Sequence, residues 1–196
     1  MSFLRQGMRK PSFRRESTRG GRQGSSSAGS QQDHSSPNRL AAGDYEYCDG
    51  AEAPEIRQLV AYWNERRGER FAPSRADIDP AAIRWILPCL SMIDVIDGGQ
   101  DFRFRLLGTR IVDGLGRDST GRYFGEVYAG QPNVMERMRE RMHRVMRLKQ
   151  PQYTRGNCYW QPDRAYKHFE DVNLPLSSDG THVDIILGAL VLRGAS

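Results

Sequence analysis

Long apolar runs are missing from this 196-residue chain. Nothing approaches the roughly 18 consecutive apolar residues that a membrane span requires. The first residues carry no apolar core of a secretory leader. Arg14-Arg15 has the look of a twin-arginine pair, but Glu, Ser, Thr, Arg and Gly follow it, and such residues do not insert into a membrane. A cytoplasmic protein is expected. Cysteine is scarce too. Cys48, Cys89 and Cys158 are scattered, with no Cys-x-x-Cys and no histidine at ligand spacing. That excludes a disulfide framework and a zinc site and leaves ordinary reduced thiols. Catalytic signatures are missing as well: there is no Gly-x-Ser-x-Gly elbow, no His-Glu-x-x-His, no P-loop and no dinucleotide fingerprint. Asp77 and Asp79 are paired carboxylates in sequence, but beside two prolines they read as turn and cap residues. No enzyme is expected.

Apolar residues make up 38% of the chain and mean hydropathy is −0.68, low enough to predict that part of it does not fold. The charge points to which part. The formal net charge is +5, yet residues 1–39 alone carry +6, from Arg5, Arg9, Lys10, Arg14, Arg15, Arg19, Arg22 and Arg39 against Glu16 and Asp33, so the rest is at −1. Residues 20–32 hold no apolar side chain larger than alanine and cannot offset the entropy of ordering. Residues 1–50 are therefore read as a disordered basic Gly/Ser-rich arm and 51–196 as the domain. Phe3, Leu4, Met8 and Phe13 could form a membrane-surface or partner-binding helix, but Pro11 interrupts them. Nucleic acid is a possible partner only through the arm.

In the domain, Ile56, Leu59, Val60 and Trp63 recur at i, i+3, i+4 and i+7, predicting an amphipathic helix over 54–67 that opens at Pro54 and stops at Gly68. Asp79 and Pro80 predict a short helix to about Leu87. Residues 90–96 and 102–107 read as two strands joined at Asp97-Gly98-Gly99-Gln100. Frequent glycines over 109–130 admit only short helical turns. A longer helix is predicted over 133–149, with Val134, Met135, Met138, Met142, Val145 and Met146 on one side. Three more strands are expected over 152–160, 166–176 and 182–192. The fold class is α+β: an antiparallel sheet with flanking short helices.

This order, with the stretches Leu59–Trp63, Pro-Ser-Arg-Ala-Asp-Ile-Asp-Pro (73–80), Ile86-Leu87-Pro88, Phe102 to Ile111, Gly116 to Gly121 and Leu174 to Gly180, resembles a PAS domain. The likeness is to the PAS_5-type branch common in alphaproteobacteria, and it covers about 54–193. It implies a five-stranded antiparallel sheet cupped by short helices, with a ligand cleft between sheet and helices. It also implies a sensory or adaptor role through ligand binding, dimerisation or partner docking, and supplies no catalytic residue. Without an output domain of its own, the chain is expected to act through a protein partner. The alternative is a nucleic-acid- or membrane-surface-associated protein anchored by its arm.

For the cleft, the candidates are Arg117, Asp118 and Thr120 at its mouth and Met138 and Met142 on the longer helix. For Asp118 and Thr120, turn chemistry explains the same residues. A haem would call on His143. At roughly 100° per residue that side chain lies about 60° or more from Met146, at the margin of the apolar face, which argues against haem; the cofactor stays unknown. Arg137, Arg139, Arg141, Arg144 and Arg147 read as a solvated face partnered by Glu136 and Glu140. The last strand is apolar at both parities, so a second cover is needed. Ile56, Leu59, Val60 and Trp63 with Val183, Ile185 and Leu187 would form either a homodimer contact or a helix–sheet interface within one chain. Which parity faces the cleft stays open, because a one-residue shift exchanges the two sets.

Overall fold

A computed structural model describes residues 45–158 and 168–193; the arm up to residue 44 lies outside them. Among the described residues are six strands: β1 (Tyr45–Cys48), β2 (Leu90–Ile96), β3 (Asp101–Leu107), β4 (Gln152–Asn157), β5 (His168–Leu176) and β6 (Ile185–Arg193). They form one antiparallel sheet in the order β1-β4-β5-β6-β2-β3. Five of these strands fall in stretches expected from the sequence to be strands. β1 corrects the domain boundary at residue 51. Its four residues pair with β4, from Tyr45 opposite Gly156 to Cys48 opposite Tyr153. So short a segment shows too little alternation to stand out beside a Gly/Ser-rich arm.

Helix α1 (Pro54–Arg67) begins with proline in its first turn and ends at Gly68, whose φ of 56° lies in the left-handed region open to glycine. It lies on the outer face of the sheet. Ile56, Leu59 and Trp63 are 0%, 0% and 2% exposed. They pack in one core with Val172, Leu174 and Leu176 of β5, Ile185, Leu187 and Ala189 of β6, and Leu90 and Met92 of β2. Burying each large side chain contributes about 1.5–3 kcal/mol. The Trp63 indole also donates to the Pro175 carbonyl at 2.9 Å. The Glu170 carboxylate of β5 accepts the Ala53 N–H at 2.9 Å, placing negative charge at the positive end of α1. The two sets considered for a dimer contact therefore meet within one chain, and Val60 is half-buried at the edge of the same core. Val183 is the exception and corrects the grouping: it precedes β6 and belongs to the core on the opposite face.

Residues 69–89 complete the outer cover with Ala72, Ile78, Ile83 and Ile86. The helix expected from Asp79 to Leu87 is instead a chain of tight turns. Ala82 donates to Asp79 O, Ile86 to Ile83 O and Cys89 to Ile86 O, all three residues back. Asp79 does cap the start, accepting the Ala81 N–H at 2.9 Å, and Asp77 closes a capping box with Ser74. The inner face is cupped by α2 (Thr109–Leu115), α3 (Phe124–Val127) and α4 (Pro132–Leu148). Phe102 and Phe104 of β3 stack against Phe124 there, beside Ile93, Ile186, Met142 and Val145.

Candidate ligand-binding cleft

The pleat settles the parity of β6. Ile185, Leu187 and Ala189 face α1, whereas Ile186 belongs to the inner core and Leu190 lines a cavity there. Rows of paired residues cross the inner face. One runs Gln152, Asn173, Gly188, Ser91. The next runs Thr154, Asp171, Leu190. A polar band thus crosses the middle of a face whose neighbouring row, Ile186, Ile93 and Phe104, is apolar. Gly188 is the floor of that band. A Cβ there would lie 2.3 Å from Ser91 Oγ and 3.4 Å from Asn173 Oδ1, so no larger residue fits without displacing Ser91.

Over this band, roofed by α2, α3 and α4, lies a cavity of about 70 Å³. Ile93, Phe104, Leu107, Ile111, Tyr128 and Met142 supply most of its apolar wall. Ser91, Arg141, Asp171 and Asn173 supply the polar part. A second lobe of about 200 Å³ shares Phe104, Leu115 and Tyr128 with the first and adds Arg117, Ser119, Val127 and Gln131.

Arg141 is only 4% exposed. It pairs with Asp171, whose other oxygen accepts the Thr154 hydroxyl, and its guanidinium lies 5.6 Å from the Tyr45 ring. This overturns its reading as part of a solvated arginine face. Met138, Arg141, Met142 and Val145 stand at i, i+3, i+4 and i+7, so the arginine occupies the apolar stripe. That spacing is the signal which could have found it. Its neighbours are held by the sheet rather than by Glu136 or Glu140: Arg139 pairs with Asp101 at 3.1 Å, and Arg144 donates to Gln152 Oε1 at 2.7 Å and lies 4.1 Å from the Tyr47 ring. Burial pushes the Tyr47 phenol above its ordinary value.

Met138 and Met142 line the first lobe. Arg117 lines the second and donates to the Val127 carbonyl at 2.8 Å. Asp118 and Thr120 belong to neither lobe; they are exposed, and Asp118 caps the turn by accepting the Thr120 N–H at 2.8 Å. The hydroxyl and N–H of Thr120 hold the Asp118 carboxyl below the usual carboxylate range. Asn173, Ser91 and Asp171 were not anticipated, because on a strand pattern they are merely the polar members of an alternation. His143 is exposed, 2.8 Å from the Gly99 carbonyl, with its ring against Phe102 and outside both lobes. Among the described residues no group of three or more His, Cys, Asp or Glu side chains could hold a metal ion, and no helix is long and apolar enough to cross a membrane. The arm up to residue 44, the candidate anchor to nucleic acid or a membrane surface, lies outside the described residues.

A sheet sealed on one face by a helix and hollowed on the other beneath further helices is the architecture of a PAS-like domain. The match to the PAS domain family, in its PAS_5 branch, spans residues 51–191, and the chain belongs to that family. Membership places it with sensory and signalling modules that work through ligand or protein interaction. β1 precedes the matched residues and extends the sheet beyond them. No curated protein and no solved structure matches the chain.

Proposed function

We propose that this chain is a sensory or adaptor module that binds a small molecule in the inner-face cleft and passes its occupancy to a protein partner, without turnover of the ligand. The observation that carries this reading is the polar band of Ser91, Asp171 and Asn173 that lines a cavity with apolar walls, Asp171 and Asn173 being buried there. Burying polar groups is unfavourable unless they are hydrogen-bonded, and a cavity that combines an apolar wall with a few convergent polar groups is the usual form of a small-molecule site. α4 is suited to relay occupancy. Met138 and Met142 touch the cavity. On other faces, α4 is tied to the β2–β3 turn through His143 and Gly99 and to β1 through Glu140, which accepts the Tyr45 hydroxyl at 3.3 Å.

Native mass spectrometry of freshly purified full-length protein tests the reading. A retained small-molecule adduct that disappears in Met138→Trp, which fills the cleft from its half-buried rim, is the expected result. An adduct unchanged by that substitution would place binding elsewhere.

A further inference from the structure

We infer that the ligand is a small, uncharged molecule whose hydrogen-bond acceptor, such as a carbonyl oxygen, takes the Asn173 side-chain amide donor while its hydrocarbon part rests on the apolar wall. This rests on the reading of the inner-face cavity as a ligand site and specifies what that site selects.

Charge is the first argument. Arg141 and Asp171 are the two charged side chains lining the first lobe, and they neutralise each other in an ion pair that Thr154 reinforces. An anionic ligand would have to compete with Asp171 for the guanidinium and would leave that buried carboxylate without its counter-charge. A cation would face Arg141. Either exchange is costly in a desolvated pocket, so a neutral ligand is favoured. The second argument is the donor. Asn173 is 4% exposed, lines the cavity, and its Nδ2 has no hydrogen-bond partner. Buried amide groups are almost always satisfied, and a ligand acceptor would satisfy this one. Gly188 keeps the floor beside Asn173 open, since a Cβ there would clash with Ser91 Oγ and come into contact with Asn173 Oδ1. Size is the third argument. About 70 Å³ corresponds to roughly five water-sized positions, which suits a ligand of about five or six heavy atoms.

The experiment titrates isotope-labelled full-length protein with four probes of similar size: cyclopentanone, cyclopentane, butyrate and n-butylamine. NMR follows the Asn173 side-chain NH₂ and the backbone amides of β5, β6 and α4. Cyclopentanone is expected to shift the Asn173 NH₂ saturably and to bind about tenfold or more tightly than the other three, the worth of one hydrogen bond to an otherwise unsatisfied donor. Asn173→Leu should bring cyclopentanone down to the level of cyclopentane. Should that variant fail to fold, the wild-type NH₂ shift decides alone. Butyrate or butylamine binding as tightly as the ketone would overturn the neutral-ligand inference, and cyclopentane matching cyclopentanone would overturn the role of Asn173. In both cases the cleft would still be a binding site. If neither the four probes nor pressurised xenon moved any cleft amide, the cleft reading itself would fall, and the inference with it.

Discussion

Arg141 shows how one buried charge organises the cleft. It stands on the apolar stripe of α4 and is held there by Asp171 across the cavity wall. Removing one partner of a buried pair leaves the other charge uncompensated, which typically costs about 3–5 kcal/mol, whereas replacing both by apolar residues can be neutral. Arg141→Leu is therefore expected to lose stability of that order in urea unfolding, and Arg141→Leu with Asp171→Leu to regain most of it. Equal losses in the single and double variants would show that the pair does not act as a unit. A second residue-scale effect lies in the β5–β6 turn. The His182 N–H and imidazole, followed by the Thr181 N–H, hold the Asp179 carboxyl far below the usual range. Its folded-state pKa lies below the unfolded one. Its contribution is thus fully present above the unfolded carboxylate value, about 4, and is lost as pH falls from there toward the folded value. The Tm difference between wild type and Asp179→Asn should narrow as pH falls below about 4. A difference that widened below that pH would contradict the assignment.

Elements with strong periodicity were legible in the sequence, and those with little were not. α1 declares itself through Ile56, Leu59 and Trp63, whose burial follows directly from their spacing. What periodicity could not decide was whether that stripe covers the sheet of its own chain or a second copy's; the structure shows it sealing its own β5 and β6. Trp63→Ala is accordingly expected to cost about 3–5 kcal/mol, as for other large aromatic truncations in cores, and Trp63→Glu to abolish folding rather than split a dimer. Light scattering with circular dichroism separates these outcomes: a folded, smaller species would restore the intermolecular reading. The tight turns over 80–89 eluded the helix pattern because i→i+3 bonding takes over between Pro80 and Pro88. β1 escaped for a different reason. Its place at the sheet edge is stabilised by partners far off in sequence, with Arg141 and Arg144 beside the Tyr45 and Tyr47 rings, and no local signal announces them.

At the scale of the whole molecule, one sheet separates two cores of different character. The outer core packs the apolar residues of the sheet beneath α1 and the 69–89 segment. The inner one is interrupted by the band of Gln152, Asn173, Ser91 and Asp171 beneath a cavity. The fold class and the methionine wall at Met138 and Met142 could be read from apolar spacing. The polar floor could not, because it exists only when strand register brings β2, β4, β5 and β6 side by side. The proposed function depends on that floor facing a ligand. The most direct measurement is a high-resolution crystal structure of the protein purified without added ligand and flash-cooled at once. Non-protein density is expected in the cleft, within hydrogen-bond reach of Asn173 Nδ2 and in contact with Met142 and Leu190. A cleft closed by repacked side chains, with the Asn173 amide bonded to another protein group, would contradict it.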